Sequence, residues 1–335
     1  MKPFGYVRAT SLQEATEAHT AHPGSRYLGG GTNLVDLMKL GVETPATLID
    51  ISRLPLHAIE ERPGGALRIG ATARNSDVAA HPLVRARYPA LAQALLAGAS
   101  AQLRNIATTG GNLLQRTRCT YFQDVSKPCN KREPGTGCAA RDGIHRDGAV
   151  LGHSVHCIAT HPSDLAVALA ALDAGIELYG AGGATRTVAA TDFHRLPGDR
   201  PEQDTVLHDG EIVTAVLVPA AAPGAVSLYR KARDRASYAF ALASVAAVLD
   251  LDDDTGRIRR VALAFGGLAH RPWRATTAER VLTGAEPTAD AFREAAEAEL
   301  AEARPLRDNA HKVVLARNLA CDALGTLHAR ARRSP

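Results

Sequence analysis

Two glycine loops constrain this chain more than any other feature. Arg26-Tyr-Leu-Gly-Gly-Gly-Thr-Asn-Leu34 and Ala107-Thr-Thr-Gly-Gly-Asn112 share the ending Gly-Gly-(Thr)-Asn-Leu. Consecutive glycines after a strand let the backbone take positive φ and turn several N–H groups toward one anion. Thr32 and Asn33 add polar side chains at the start of a helix. Gly29, Gly30 and Gly31 are contiguous, so the spacing is not that of a Rossmann fingerprint, and the Lys-Ser/Thr of a P-loop is missing. Alone, either loop reads equally as a tight turn. Together they can grip one diphosphate from opposite sides, which demands a fold that brings distant segments into contact.

The rest of the chain suits such a fold. Its 335 residues, 45% hydrophobic, give ample material for a core and for two or three domains. Short apolar strands alternate with alanine- and leucine-rich helical stretches, which predicts a mixed α and β architecture. Strands are expected at Arg26 to Leu28, Thr47 to Ile51, Leu67 to Ala71, Glu211 to Val218, Ser227 to Arg230 and Arg259 to Phe265. Helices are expected over Ala90 to Ala97, over Leu165 to Leu172 after His161-Pro-Ser-Asp164, and over Asn309 to Ala331 with an apolar face at Val313, Val314, Leu315, Leu319 and Leu324. Pro219-Ala-Ala-Ala-Pro-Gly224 is the clearest linker, placing a domain boundary there. With 39 basic and 35 acidic residues, net charge is only +4, which gives no support to nucleic-acid binding. No apolar run approaches bilayer length, so no membrane insertion is expected, and the N-terminus lacks the apolar region of a secretory signal.

Four of the five cysteines, Cys119, Cys129, Cys138 and Cys157, follow the second glycine loop. They do not suggest a disulfide-stapled small domain, and their spacing is neither a Cys-x2-Cys knuckle nor the compact ferredoxin run. The ligands would come from a looping excursion, with Lys127, Lys131, Arg132 and Arg141 available to offset thiolate charge. An iron–sulfur cluster and a four-thiolate zinc site are both open on these grounds. His153, His156 and His161 bracket Cys157 and read as outer neighbours of the thiolates. Cys321 reads as an apolar residue on the last helix, and Asp252 to Asp254 as a turn between strands.

The two loops, Pro162-Ser-Asp164 and Tyr229-Arg-Lys-Ala-Arg-Asp-Arg-Ala-Ser237 together resemble the FAD-binding medium subunits of the xanthine dehydrogenase family of molybdenum hydroxylases. The resemblance runs over almost the whole chain. Most such subunits pass directly from the Gly-Gly-Asn loop to the Ser-Asp segment. The insertion from Cys119 to Cys157 resembles the subunits that carry an extra 4Fe-4S cluster, those of 4-hydroxybenzoyl-CoA reductase and, more closely, of bacterial periplasmic aldehyde oxidoreductase.

The resemblance implies an α+β fold: a two-lobed FAD-binding domain of the PCMH, vanillyl-alcohol-oxidase-like type over 1-222, interrupted at about 119-157, then a smaller α+β domain of the CO dehydrogenase flavoprotein type over 223-335. It implies that Arg26, Tyr27, Leu28, Gly29, Gly30, Gly31, Thr32, Asn33 and Leu34 wrap the FAD diphosphate, with Thr108, Gly111 and Asn112 completing the cradle. Asp164, at a helix start, would meet the ribityl hydroxyls or cap its helix, and Lys231 would lie near the flavin rather than on the surface. Cys119, Cys129, Cys138 and Cys157 would hold the 4Fe-4S cluster. Arg116, Arg118 and Asp124 would flank the junction between flavin and cluster, and Trp273 would be a packing or subunit-contact position. Implied partners are a large molybdenum-cofactor subunit, a small 2Fe-2S subunit and an external electron acceptor. The location would be periplasmic by co-export with a signal-bearing partner, or cytoplasmic. A freestanding flavin oxidase and a zinc-stabilised binding module are the competing readings of the residues.

Overall fold

The computed structural model describes residues 1–332 and contains three sheets. The first is parallel, with Thr47–Asp50 between Gly5–Arg8 and Arg26–Leu28. Thr47–Asp50 is buried at every position, as expected of a central parallel strand. The second is antiparallel, in the order Ile59–Glu61, Leu67–Gly70, Ile212–Val218, Gly175–Tyr179, Thr185–Ala189. The third, also antiparallel, runs Trp273–Arg274, Ile258–Gly266, Ala243–Leu251, Val226–Ala232. This is the expected α+β class; among the interior strands Leu67–Gly70, Ile212–Val218 and Ile258–Gly266 match the sequence reading, while Gly175–Tyr179 and Ala243–Leu251 are additional.

One helix links these layers. Asp164–Ala171 is buried along all its length, because Leu165, Val167 and Leu169 alternate with alanines that let other elements approach from every side. It packs against helix Pro89–Ala97 and against strands Ala243–Leu251 and Ile258–Gly266. Its side chains belong to the core that also holds Leu67, Ile69, Val216 and Val218 of the second sheet. Asp164 opens this helix, so the two larger sheets together determine where its carboxylate points.

The last helix, His311–Ala331, covers the third sheet by a face shifted from the one expected. Its buried ridge is Ala316, Ala320, Ala323, Leu324 and Leu327, with Val313, Leu315 and Leu319 at the flanks, while Val314 is exposed. Small residues carry the contact because alanine lets a helix lie close to a sheet, a choice that hydrophobicity alone does not reveal. The lone tryptophan is an internal packing residue: Trp273 Nε1 donates to Glu299 at 2.7 Å, and the same carboxylate accepts from the N–H groups of Thr277 and Ala278. Asp252 is the predicted turn between strands, accepting from Thr255 N at 2.9 Å. No helix among the described residues is long and apolar enough to cross a membrane.

Candidate functional site

The two glycine loops meet. A Cβ on Gly30 would lie 2.2 Å from the Ile106 carbonyl oxygen, and one on Gly29 would lie 3.0 Å from Thr108 Oγ1. Only glycine lets the first loop sit against the second this closely. Gly31 adds the positive φ, +73°, that turns the chain into helix Leu34–Lys39. On the second loop, Thr108 caps the short helix Thr109–Leu113, its Oγ1 accepting from Gly111 N at 3.2 Å.

Beside the joined loops lies a cavity of about 710 Å³. Thr32, Asn33, Gly111, Asn112, Asp164 and Lys231 line it, as do Arg104, Arg118 and Arg235. The remaining predicted residues form the loops' scaffold rather than the cavity wall. Arg26 pairs with Glu43 at 3.8 Å, Tyr27 Oη donates to the Gly210 carbonyl at 2.8 Å, and Leu34 begins the helix behind the loop. Leu28, Gly29, Gly30, Gly31 and Thr108 bring the backbones together behind the wall. Buried polar atoms on the wall, among them Asn75 Oδ1, His145 Nδ1 and His161 Nε2, have no partner within the chain. Orphaned groups of this kind beside a large, mixed-charge cavity fit an extended polar cofactor such as FAD.

Two asparagines wire the loops to their surroundings. Asn33 Oδ1 accepts from Arg116 N at 2.8 Å, and Asn112 Oδ1 accepts from Ser163 Oγ at 2.6 Å. Ser163 in turn caps helix Asp164–Ala171 by accepting from Ala166 N at 3.0 Å. Ser163 thus takes the capping role open to Asp164 and leaves that carboxylate for other partners. Lys231 Nζ donates to Asp164 Oδ2 at 2.7 Å, and Tyr229 Oη donates to Asp164 Oδ1. Lys231 is no surface lysine, since its side chain is 4% exposed. Tyr229 carries no local sign of a role in the sequence, because its contact with Asp164 spans 65 positions of chain.

The cysteines also converge. Cys119, Cys129, Cys138 and Cys157 are free thiols that line one small pocket, and Cys129 and Cys138 face each other across an antiparallel bridge. Burial pushes the Cys119 and Cys138 thiols up and carries Cys157 to about 12, so without a metal these groups stay protonated. Among the described residues no three His, Cys, Asp or Glu side chains are placed to hold a single metal ion. Cys119 lines both this pocket and the large cavity, so the two sites share a wall.

The cations of the insertion divide: Lys131 lines the thiol pocket and its charge pulls Cys157 down against burial, as expected, whereas Arg132 and Arg141 serve backbone carbonyls. Arg132 donates to the carbonyls of Tyr121, Phe122 and Lys127, and Arg141 to that of Ser154 at 2.8 Å. Lys131 is buried, donating to the Pro201 carbonyl at 2.8 Å and pairing with Asp204. Asp204 also meets Arg116 at 2.7 Å. Burial raises its carboxyl, yet Lys131, Arg116 and His270 outweigh this and hold it well below the usual range. Arg116 reaches on to Glu43, so one ionic chain joins the cysteine loop to the segment after the first glycine loop.

Arg118 stacks 4.9 Å from the Phe240 ring on the cavity wall, whereas Asp124 is exposed and only turns the chain at Ser126. His161 is buried on the cavity wall with its ring 4.1 Å from that of His194. His156 is exposed, and His153 bonds the Arg304 carbonyl at 2.8 Å. Cys321 is partly buried against the core of the third sheet.

Comparison with known proteins agrees with this arrangement. The family described as the FAD binding domain in molybdopterin dehydrogenase matches residues 2–221, and the CO dehydrogenase flavoprotein C-terminal domain matches 227–327. The chain is 49% identical over 332 residues, 99% of its length and 100% of the relative's, to the aldehyde oxidoreductase FAD-binding subunit PaoB of Escherichia coli K12. It is 29% identical to the glyceraldehyde dehydrogenase medium chain of Sulfolobus acidocaldarius, covering 91% of this chain and 90% of that one. Among solved structures, a chain of carbon monoxide dehydrogenase from Hydrogenophaga pseudoflava superposes with a TM-score of 0.77 at 28% identity, covering 98% of this chain and 99% of that one. Joined glycine loops, the cavity beside them and full-length similarity lead to one conclusion: the chain belongs to the family of FAD-binding subunits of molybdopterin dehydrogenases.

Proposed function

We propose that the chain is the FAD-carrying electron-transfer subunit of a heterotrimeric molybdenum-containing aldehyde oxidoreductase. In this reading a large subunit bears the molybdenum cofactor, a small one bears 2Fe-2S clusters, and electrons leave through this chain to an external acceptor. The carrying observation is the convergence of both glycine loops, Asp164 and Lys231 on one cavity, in a chain 49% identical end to end to an aldehyde oxidoreductase subunit. FAD supplies a centre that can take electrons singly and release them in pairs.

The chain's own residues hold and tune that centre. Thr32 and Asn33, on the cavity wall, would bind the diphosphate, with Gly29, Gly30, Gly31, Thr108, Gly111 and Asn112 keeping the two loops in place. Asp164 would accept from the ribityl hydroxyls, and the Lys231 ammonium would stabilise negative charge on the ring. Arg26, Tyr27, Leu28 and Leu34 would support the first loop from behind.

The same proposal gives Cys119, Cys129, Cys138 and Cys157 a 4Fe-4S cluster. Four free thiols on one pocket support it. The division at 222/223 is part of the proposal, supported by two separate family matches; the last residues of the 223-335 unit, 333–335, lie outside the described residues.

Purification with co-expressed partner chains tests all of this. A flavin absorption band, iron with labile sulfide, and co-purifying molybdenum and 2Fe-2S polypeptides are expected. Zinc without flavin would overturn the reading.

A further inference from the structure

Strand Val226–Ala232 presents Tyr229 and Lys231, two positions apart, to the same carboxylate. Each Asp164 oxygen takes one of them: Oδ1 accepts from Tyr229 Oη, and Oδ2 from Lys231 Nζ at 2.7 Å. Lys231 has three N–H donors. Asp164 uses one, the Ala97 carbonyl accepts another at 3.2 Å, and the third remains for the cavity that Lys231 lines. Tyr229 does not line that cavity and is 4% exposed; beyond it the Ser244 hydroxyl, on the cavity wall, adjoins the phenol. Burial and the adjoining carboxylate push the phenol well above its usual range, which keeps it a neutral donor.

We propose that Tyr229 is a positioning residue that sets, through Asp164 and Lys231, the reduction potential of the flavin held in the cavity. The inference rests on the reading that FAD occupies that cavity. Without the phenol O–H, the carboxylate charge falls on Lys231 alone, and less of the ammonium's field reaches the cavity. Charge gained by the flavin on reduction is then less well stabilised, in surroundings where low dielectric magnifies such changes.

The test compares three forms of the assembled complex by FAD stoichiometry and spectroelectrochemical titration. Tyr229→Phe keeps the buried ring and removes the donor; bound FAD should persist and its midpoint potential should fall. Site-specific 3-fluorotyrosine at position 229, a stronger donor of nearly the same shape, should raise the midpoint. A merely structural role would not move the two in opposite directions. Midpoints unmoved, or displaced the same way in both, would overturn the inference. If Tyr229→Phe fails to assemble, the fluorotyrosine form decides alone, by a raised or an unraised midpoint. A parent complex without flavin would instead sink the reading beneath it.

Discussion

The glycine cradle and the cysteine insertion share a wall at Cys119, yet they are held together by different physics. The cradle is a backbone construction. Its two loops touch because Gly30 has no side chain, and its polar wiring consists of short-range caps by Thr108 and Ser163 plus two asparagine bridges. The insertion has little regular structure, with two four-residue helices, Thr120–Gln123 and Ala139–Asp142, and turns between them. Arginines on neighbouring carbonyls and a buried ionic hub at Asp204 support it. Backbone complementarity is rigid and local, whereas an ionic scaffold is only as good as its least paired charge.

The hub is where this contrast is most easily broken. Asp204→Ala would leave the buried Lys131 with only the Pro201 carbonyl and Arg116 with Glu43 alone, at a cost of about 3–5 kcal/mol. A large fall in unfolding midpoint with loss of iron is expected. Unchanged stability would mean the hub is not what orders the insertion.

Gly30→Ala strikes the other side. A methyl group 2.2 Å from a backbone carbonyl cannot be accommodated by a rotamer change, so the loops must part, costing about 1–3 kcal/mol. FAD should be lost while iron is retained. Full flavin occupancy would show that the loops need not touch.

Cys138→Ser then separates the sites most gently. Iron content should drop with most FAD still bound, read from the flavin band and metal analysis. Unchanged iron would remove Cys138 from the ligand set.

The remaining probe is pH. Burial, the leading cause, lowers His194 and His270 from the usual 6.5 to about 4, so the native state favours their neutral rings. Unfolded chains bind these protons first as pH falls below 6.5. Stability is therefore whole above that value and declines towards pH 4, by at most about 1.4 kcal/mol per unit for each histidine. Denaturant unfolding between pH 7 and 4.5 checks this, and His194→Asn should flatten the slope. An equal slope in that variant would place the acid sensitivity elsewhere.

Much of this was legible from residues in order along the chain. Strands such as Arg26–Leu28 and Ile212–Val218, helix Pro89–Ala97 and the pairing of the two glycine loops were readable because they depend on local periodicity and on glycine's unique backbone. The four thiols were recognisable as one set because their residue type is scarce. Less accessible was the packing of helix His311–Ala331, where close approach favoured alanines over larger apolar residues. Asp204 gave no signal at all: it lies 73 positions from Lys131 and sits in an unremarkable polar stretch.

The sequence by itself determined which chemistry the chain can house: glycine N–H groups for a diphosphate, four soft sulfurs for a metal, and helices and strands in α+β order. These properties belong to residue types and short spacings. Tertiary structure alone decided that Ser163, not Asp164, caps the buried helix. It also decided that Tyr229 and Lys231 divide the Asp164 carboxylate, and that Lys131, beside the thiols, is paired with Asp204. The physical reason is that a buried polar group must find a partner, and partners tens of residues away in the chain become neighbours only once helices and sheets have packed.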